Sequence, residues 1–116
     1  LEASSKYRFR LLLFVNCVNS TEGLKVALGG TVGVTLLKAQ GSLWNSSGGL
    51  INQNRISAFG STLSGLVLVG DSHTTIEGTI ETSTAGTFLL QWAQSVSGVN
   101  NVTMQRSSSM IVTKLP

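Results

Sequence analysis

The sequence predicts an all-β chain: an antiparallel β-sandwich, jelly-roll-like, of about eight to ten short strands in one domain over residues 1–116. Three observations predict it. No apolar stripe at i, i+3, i+4, i+7 is sustained, and Gly, Ser and Thr interrupt every stretch long enough for a helix. Alternating apolar stretches recur at short spacing, with turn-forming residues between them. Residues 86–94, GTFLLQWAQ, alternate so cleanly that Phe88, Leu90 and Trp92 fall on one side and Leu89, Gln91 and Ala93 on the other. A strand that half-buries a Trp needs a second layer, and the terminal apolar segment 110–115 is expected to supply part of it.

Residues 7–16 read as the first strand. Tyr7, Phe9, Leu11, Leu13 and Val15 form one apolar side, while the other begins with Arg8 and Arg10 and turns apolar at Leu12 and Phe14. Asn19 to Gly23 is a turn cluster, and Leu24, Val26 and Leu28 alternate inward beyond it. Gly29 and Gly30 predict a tight turn before a strand over 31–40. Residues 42–54 are the least regular and predict a long loop with a short strand at each end. Residues 55–59 read as short and extended.

Leu66, Val67, Leu68 and Val69 form an aliphatic run between two glycines, as expected of a strand covered on both faces. One face meets the core; the other is expected to meet a loop or another protomer. Residues 74–82 alternate Ile76, Gly78 and Ile80 against Glu77, Thr79 and Glu81, a strand with one wet face. Strands over 87–94, 102–106 and 110–115 complete the chain, and no internal repeat is present.

Only 11% of the residues are charged, against about 25% in an ordinary soluble domain. Ser, Thr, Asn, Gln and Gly stand in their place. Such a composition predicts a surface covered in part by other subunits. The net charge of +3 is too small to predict nucleic-acid binding. Lys6, Arg8 and Arg10 share a strand face, which reads as a solvated or inter-subunit surface, with a small contact surface for an anionic partner as the alternative. The single cysteine, Cys17, excludes a disulfide within the chain and sits among apolar neighbours as a small buried hydrophobe. No apolar run reaches the roughly 18–20 residues of a membrane span, so no membrane partner is expected. Leu1 is expected to be the first ordered or retained residue of a longer product.

No constellation for catalysis stands out, and the chain is expected not to be an enzyme. The one histidine, His73, lies in Asp71-Ser72-His73, where turn chemistry is expected, with Asp71 bonding the local backbone. One His, one Cys and five dispersed acids do not make a metal site, so neither metal nor cofactor is expected. Glu77 and Glu81, four apart on one strand, stand roughly 13 Å apart, too far for either glycosidase geometry. The glycines at 29, 30 and 33 precede strand sequence instead of a helix and cradle no phosphate. Trp44, with Asn45, Asn52 and Gln53, is the candidate glycan contact. Leu12, Phe14, Leu66, Val67, Leu68 and Val69 are the candidate oligomer or capsid interface.

The opening LEASSKYRFRLLL (1–13) resembles the "LEAnt-Y-F-ALL" start of many tailed-bacteriophage virion proteins. GTFLLQWAQ (86–94) is similar to their "GTLQLQWAQ" strand, and SSSMIVTKL (107–115) stands where they carry a terminal "GS-L-V-K-L" strand. That family often has Gly and an aromatic where this chain has Ser109 and Met110, so the turn there is expected to differ. Residues 40–60 match nothing specific in it. The resemblance implies a trimerising jelly roll located in the virion, found in head decoration (cement) proteins and in tail or fibre proteins, with no catalytic residues to carry over. A short one-domain chain favours a capsid decoration protein, with copies of itself (a homotrimer) and the major capsid protein or other virion proteins as partners. The alternative is a tail-fibre or receptor-binding module that attaches to host surface glycans.

Overall fold

The computed structural model describes residues 1–18, 22–65, 69–99 and 101–116. Nine strands follow in order: β1 (Lys6–Cys17), β2 (Leu24–Gly30), β3 (Gly33–Trp44), β4 (Leu50–Ile56), β5 (Thr62–Gly65), β6 (Gly70–Thr84), β7 (Phe88–Gln94), β8 (Val102–Met104) and β9 (Ser109–Lys114). They form an antiparallel sandwich, as the alternation predicts. A six-stranded sheet runs β4-β3-β6-β1, with β8 and β9 both beside β1, and a three-stranded sheet runs β5-β2-β7. The pairs β1·β9, β2·β7 and β3·β6 are nested in sequence, as when a long hairpin winds on itself in a jelly roll.

The core follows from strand parity. Tyr7, Phe9, Leu11, Leu13 and Val15 of β1 are buried, in register with Ile80, Gly78, Ile76, Thr74 and Ser72 of β6. Leu37, Ala39 and Leu43 of β3 continue the same inward rows. Leu24, Val26 and Leu28 of β2 and Leu63 of β5 complete the core from the second sheet. Phe9 meets Phe88 edge-on at 5.0 Å between ring centroids, which ties the two sheets together. Gly78 is required here: a Cβ at this position would lie 2.2 Å from the Lys38 carbonyl oxygen.

The opening residues are bound to the far end of β6. The Leu1 ammonium donates to the Gly86 carbonyl at 2.7 Å, and the Gly86 N–H donates back to the Leu1 carbonyl at 3.0 Å. The Thr82 hydroxyl donates to the Glu2 carbonyl at 2.6 Å and accepts the Ser5 N–H at 3.0 Å.

Several expectations are corrected. Residues 42–54 are a hairpin: β3 runs to Trp44, β4 starts at Leu50, and only five residues connect them. Asn45 makes this possible, because its Oδ1 accepts the N–H groups of Ser47 and Gly49 and closes the turn. Gly29 and Gly30 end β2, and the turn comes after them. Asp71, Ser72 and His73 lie in β6 and not in a turn. Asp71 bonds side chains across the sheet in place of local backbone: its Oδ1 accepts from Asn16 and from Gln105, each at 2.9 Å.

Trp92 is not a core residue. It lies in register with buried Val26 and so takes the inward parity, yet it is 42% exposed. Strand β7 ends the narrower sheet, so the indole overhangs the side of the sandwich. The terminal segment does not cover it. Strand β9 pairs with β1 in the other sheet, with Met110 half-buried and Ile111 and Val112 exposed.

Candidate functional site

The molecule is elongated, 43 × 24 × 24 Å. Strand directions place the C-terminal ends of β1, β3, β5 and β7 together at one end, the loop end. In the four connections that follow these strands the sequence has a single charged residue, Glu22, and it is buried. Val18, Val69, Val96 and Val99 are exposed there, Val99 almost completely at 97%. The loops hold one another in place. The Val96 N–H donates to the Glu22 carbonyl at 2.9 Å, the Ser95 hydroxyl donates to the same carbonyl at 2.7 Å, and the Ser46 hydroxyl donates to the Val69 carbonyl at 3.1 Å. Beneath them Cys17 is buried, and burial, then the Glu22 charge, push its thiol above the usual range. Buried in this way, Cys17 packs as a small hydrophobe.

The outer face of the six-stranded sheet leads away from this end. Its first row is aromatic: Phe14, His73 and Trp44 are in register across β1, β6 and β3. His73 stacks on Trp44 at 5.8 Å and 10°, and on its other side meets Phe14 at 6.2 Å. Leu12, Thr75, Ser42 and Gln53 form the next row.

Below it the face becomes charged. One row reads Ile111, Arg10, Glu77, Gln40, Arg55 and the next Thr113, Arg8, Thr79, Lys38. Lys6 and Glu81 close it as an ion pair at 2.9 Å. Five of the eight Lys and Arg residues therefore stand on this face. The sequence shows only the first three, on β1. Lys38 and Arg55 are 28 and 45 residues beyond Arg10 and reach the same surface through β3 and β4. Strand parity could have placed each on a wet face, but not on this one.

The sequence-predicted site residues divide as follows. Leu12 and Phe14 are outward and half-buried, and Phe14 backbone groups bond Gln105 and Ser108 in the turn that joins β8 to β9 along the edge of β1. Val69 is exposed, and Leu66, Val67 and Leu68 lie outside the described residues. Trp44, Asn45, Asn52 and Gln53 do not converge. Trp44 and Gln53 share the outer face, but Asn45 closes the turn, and Asn52 donates to the Ser64 carbonyl of the other sheet at 2.8 Å. Strand alternation separates Asn52 from Gln53: Asn52 lies opposite buried Leu43 and Gln53 opposite Ser42.

Chemically, Ser72 points into the core while Asp71 and His73 point outward, so the three make no nucleophile–base arrangement. Among the described residues no three His, Cys, Asp or Glu side chains are grouped to hold a metal ion. Compared with known proteins, the chain matches no family model, no curated protein and no solved structure.

Proposed function

We propose that this chain is a non-enzymatic virion structural protein of a tailed bacteriophage, a capsid decoration protein that associates with copies of itself and stabilises the particle. The observation that carries the reading is the loop end. Four valines are exposed there among uncharged Ser and Asn residues, and Glu22, the only charge in the sequence of the connections, is buried. Interface cores are depleted of charge in the same way. The resemblance of residues 1–13 and 86–94 to virion proteins supplies the setting. Those residues tie the start of the chain to Gly86, a structural role that needs no ligand.

Sedimentation velocity at micromolar concentration tests the self-association. The expected result is an oligomer, a trimer on the present reading, that dissociates when Val99→Asp and Val18→Asp place charge on the loop end. A wild-type chain that stays monomeric overturns it. Labelled protein imaged on particles then distinguishes head from tail.

The alternative, a tail-fibre module that holds host glycans, has one observation in its favour: the Trp44 indole lies on the outer face close to the loop end. Its ring is stacked on His73, and Asn45 and Asn52 are engaged elsewhere. A Trp44→Ala variant that binds host cells as the wild type does removes this alternative.

A further inference from the structure

Arg8, Arg10, Lys38 and Arg55 stand exposed on the outer sheet face, and among the described residues none of them forms an ion pair. Arg8 and Lys38 flank Thr79 on adjacent strands, about 10 Å apart across β6. Arg10 flanks Glu77 directly, and Arg55 stands two strands away on the other side. Two shallow grooves of about 580 and 370 Å³ open on this side, the first between β3 and β4 and the second over β1, β6 and β9, and Glu77 borders both. Ile111, 62% exposed, ends the row beyond Arg10.

A second copy of this chain cannot complement such a surface. Of its five acids, Glu2 is held by Lys114, Glu81 is held by Lys6, and Glu22 is buried. The remaining two, Asp71 and Glu77, lie on this same face, so two copies set face to face oppose four unpaired cations to two carboxylates. A phosphate backbone fits poorly too, because Glu77 stands in the middle of the patch and repels it. A folded protein surface can place carboxylates at the cations, a donor at Glu77 and an apolar side chain at Ile111.

We propose that the outer face of the six-stranded sheet docks an acidic protein surface of a different molecule, with carboxylates seated over Thr79 between Arg8 and Lys38. This goes beyond the self-association proposed above and uses a different part of the molecule. It also holds whether or not the virion reading does.

Poly-L-glutamate and a short DNA duplex serve as probes at low and at near-physiological salt. The wild-type chain is expected to bind poly-L-glutamate, more weakly as salt rises. The double variant R8E/K38E is expected to lose about tenfold or more in affinity. Lys25→Glu, a cation on the other sheet, is expected to change it less than about twofold. Arg10→Gln with Arg55→Gln provides a second, milder pair should charge reversal disturb folding, which thermal unfolding reports. The proposal is overturned if the wild type does not bind poly-L-glutamate, if R8E/K38E binds as the wild type does, or if the duplex binds while poly-L-glutamate does not. Failure of self-association in sedimentation leaves these outcomes unaffected, so the two readings fail separately.

Discussion

Two threonines on one strand are expected to respond oppositely to the same substitution. Thr74 and Thr82 both lie in β6 and are both buried. Thr82 is the anchor of the opening segment: its hydroxyl donates to the Glu2 carbonyl and accepts the Ser5 N–H. Thr74 is fully buried between Leu13 and Leu43, and among the described residues its hydroxyl has no hydrogen-bond partner. Valine has nearly the shape of threonine and lacks the hydroxyl. At Thr74 the change removes a buried, unbonded polar group, whose desolvation costs about 1–3 kcal/mol in proteins. Thr74→Val is therefore expected to stabilise the fold by about 1 kcal/mol, a rise in Tm of about 4 °C for a domain of this size. At Thr82 the change leaves two partly buried backbone groups without their partner, and Thr82→Val is expected to destabilise by about 1 kcal/mol. Urea and thermal unfolding at fixed protomer concentration measure both, since self-association makes stability concentration-dependent. A Thr74→Val variant less stable than the wild type, or a Thr82→Val variant equal to it, refutes the reasoning.

Gly78→Ala places a methyl group 2.2 Å from the Lys38 carbonyl oxygen, between two strands that cannot separate without breaking their ladder. It is expected to cost about 3 kcal/mol in denaturant unfolding, whereas Gly48→Ala, in open space at the loop end, should cost less despite its positive φ. Glu2 and Lys114 give a pH dependence of known sign. The hydrogen bond from Lys114, then its charge, hold the Glu2 carboxyl below its ordinary 4.5, and the same hydrogen bond raises Lys114 above 10.5. The contribution of Glu2 is complete above pH 4.5 and is lost as pH falls through its lowered value. That of Lys114 is complete below pH 10.5 and is lost as pH rises through its raised value. In Tm measured against pH, Glu2→Gln is expected to flatten the acid side, and salt is expected to weaken the wild-type effect because the pair is exposed.

Much of the fold was legible because strand parity is a local property. Tyr7, Phe9, Leu11, Leu13 and Val15 alternate in the sequence and are all buried in the structure. The period of two fixes which side chains share a face wherever one face must be dry. It does not fix which strand lies at a sheet edge, and that is why Trp92 could be read as core. Phe88 and Leu90, on the same parity, are partly buried and pack against the core, while Trp92 overhangs an open side. The hairpin over 42–54 is hidden in the sequence for a different reason. Asn45 and the two glycines look like an irregular stretch until the Oδ1 bonds of Asn45 compress them into one tight turn.

The candidate surfaces show the same division. The sequence by itself determined an all-β chain of alternating strands, low in charge, with one cysteine buried and Lys6, Arg8 and Arg10 on one side of a strand. Only the tertiary structure decided that Lys38 and Arg55 stand in rows with Arg8 and Arg10, that Asn52 turns away from Trp44, and that the far ends of β1, β3, β5 and β7 gather together. The physical reason is that alternation is written in neighbouring residues, whereas a row across a sheet is written in strand order and register. Those depend on which distant segments pack together to bury the core, and no single strand carries that information.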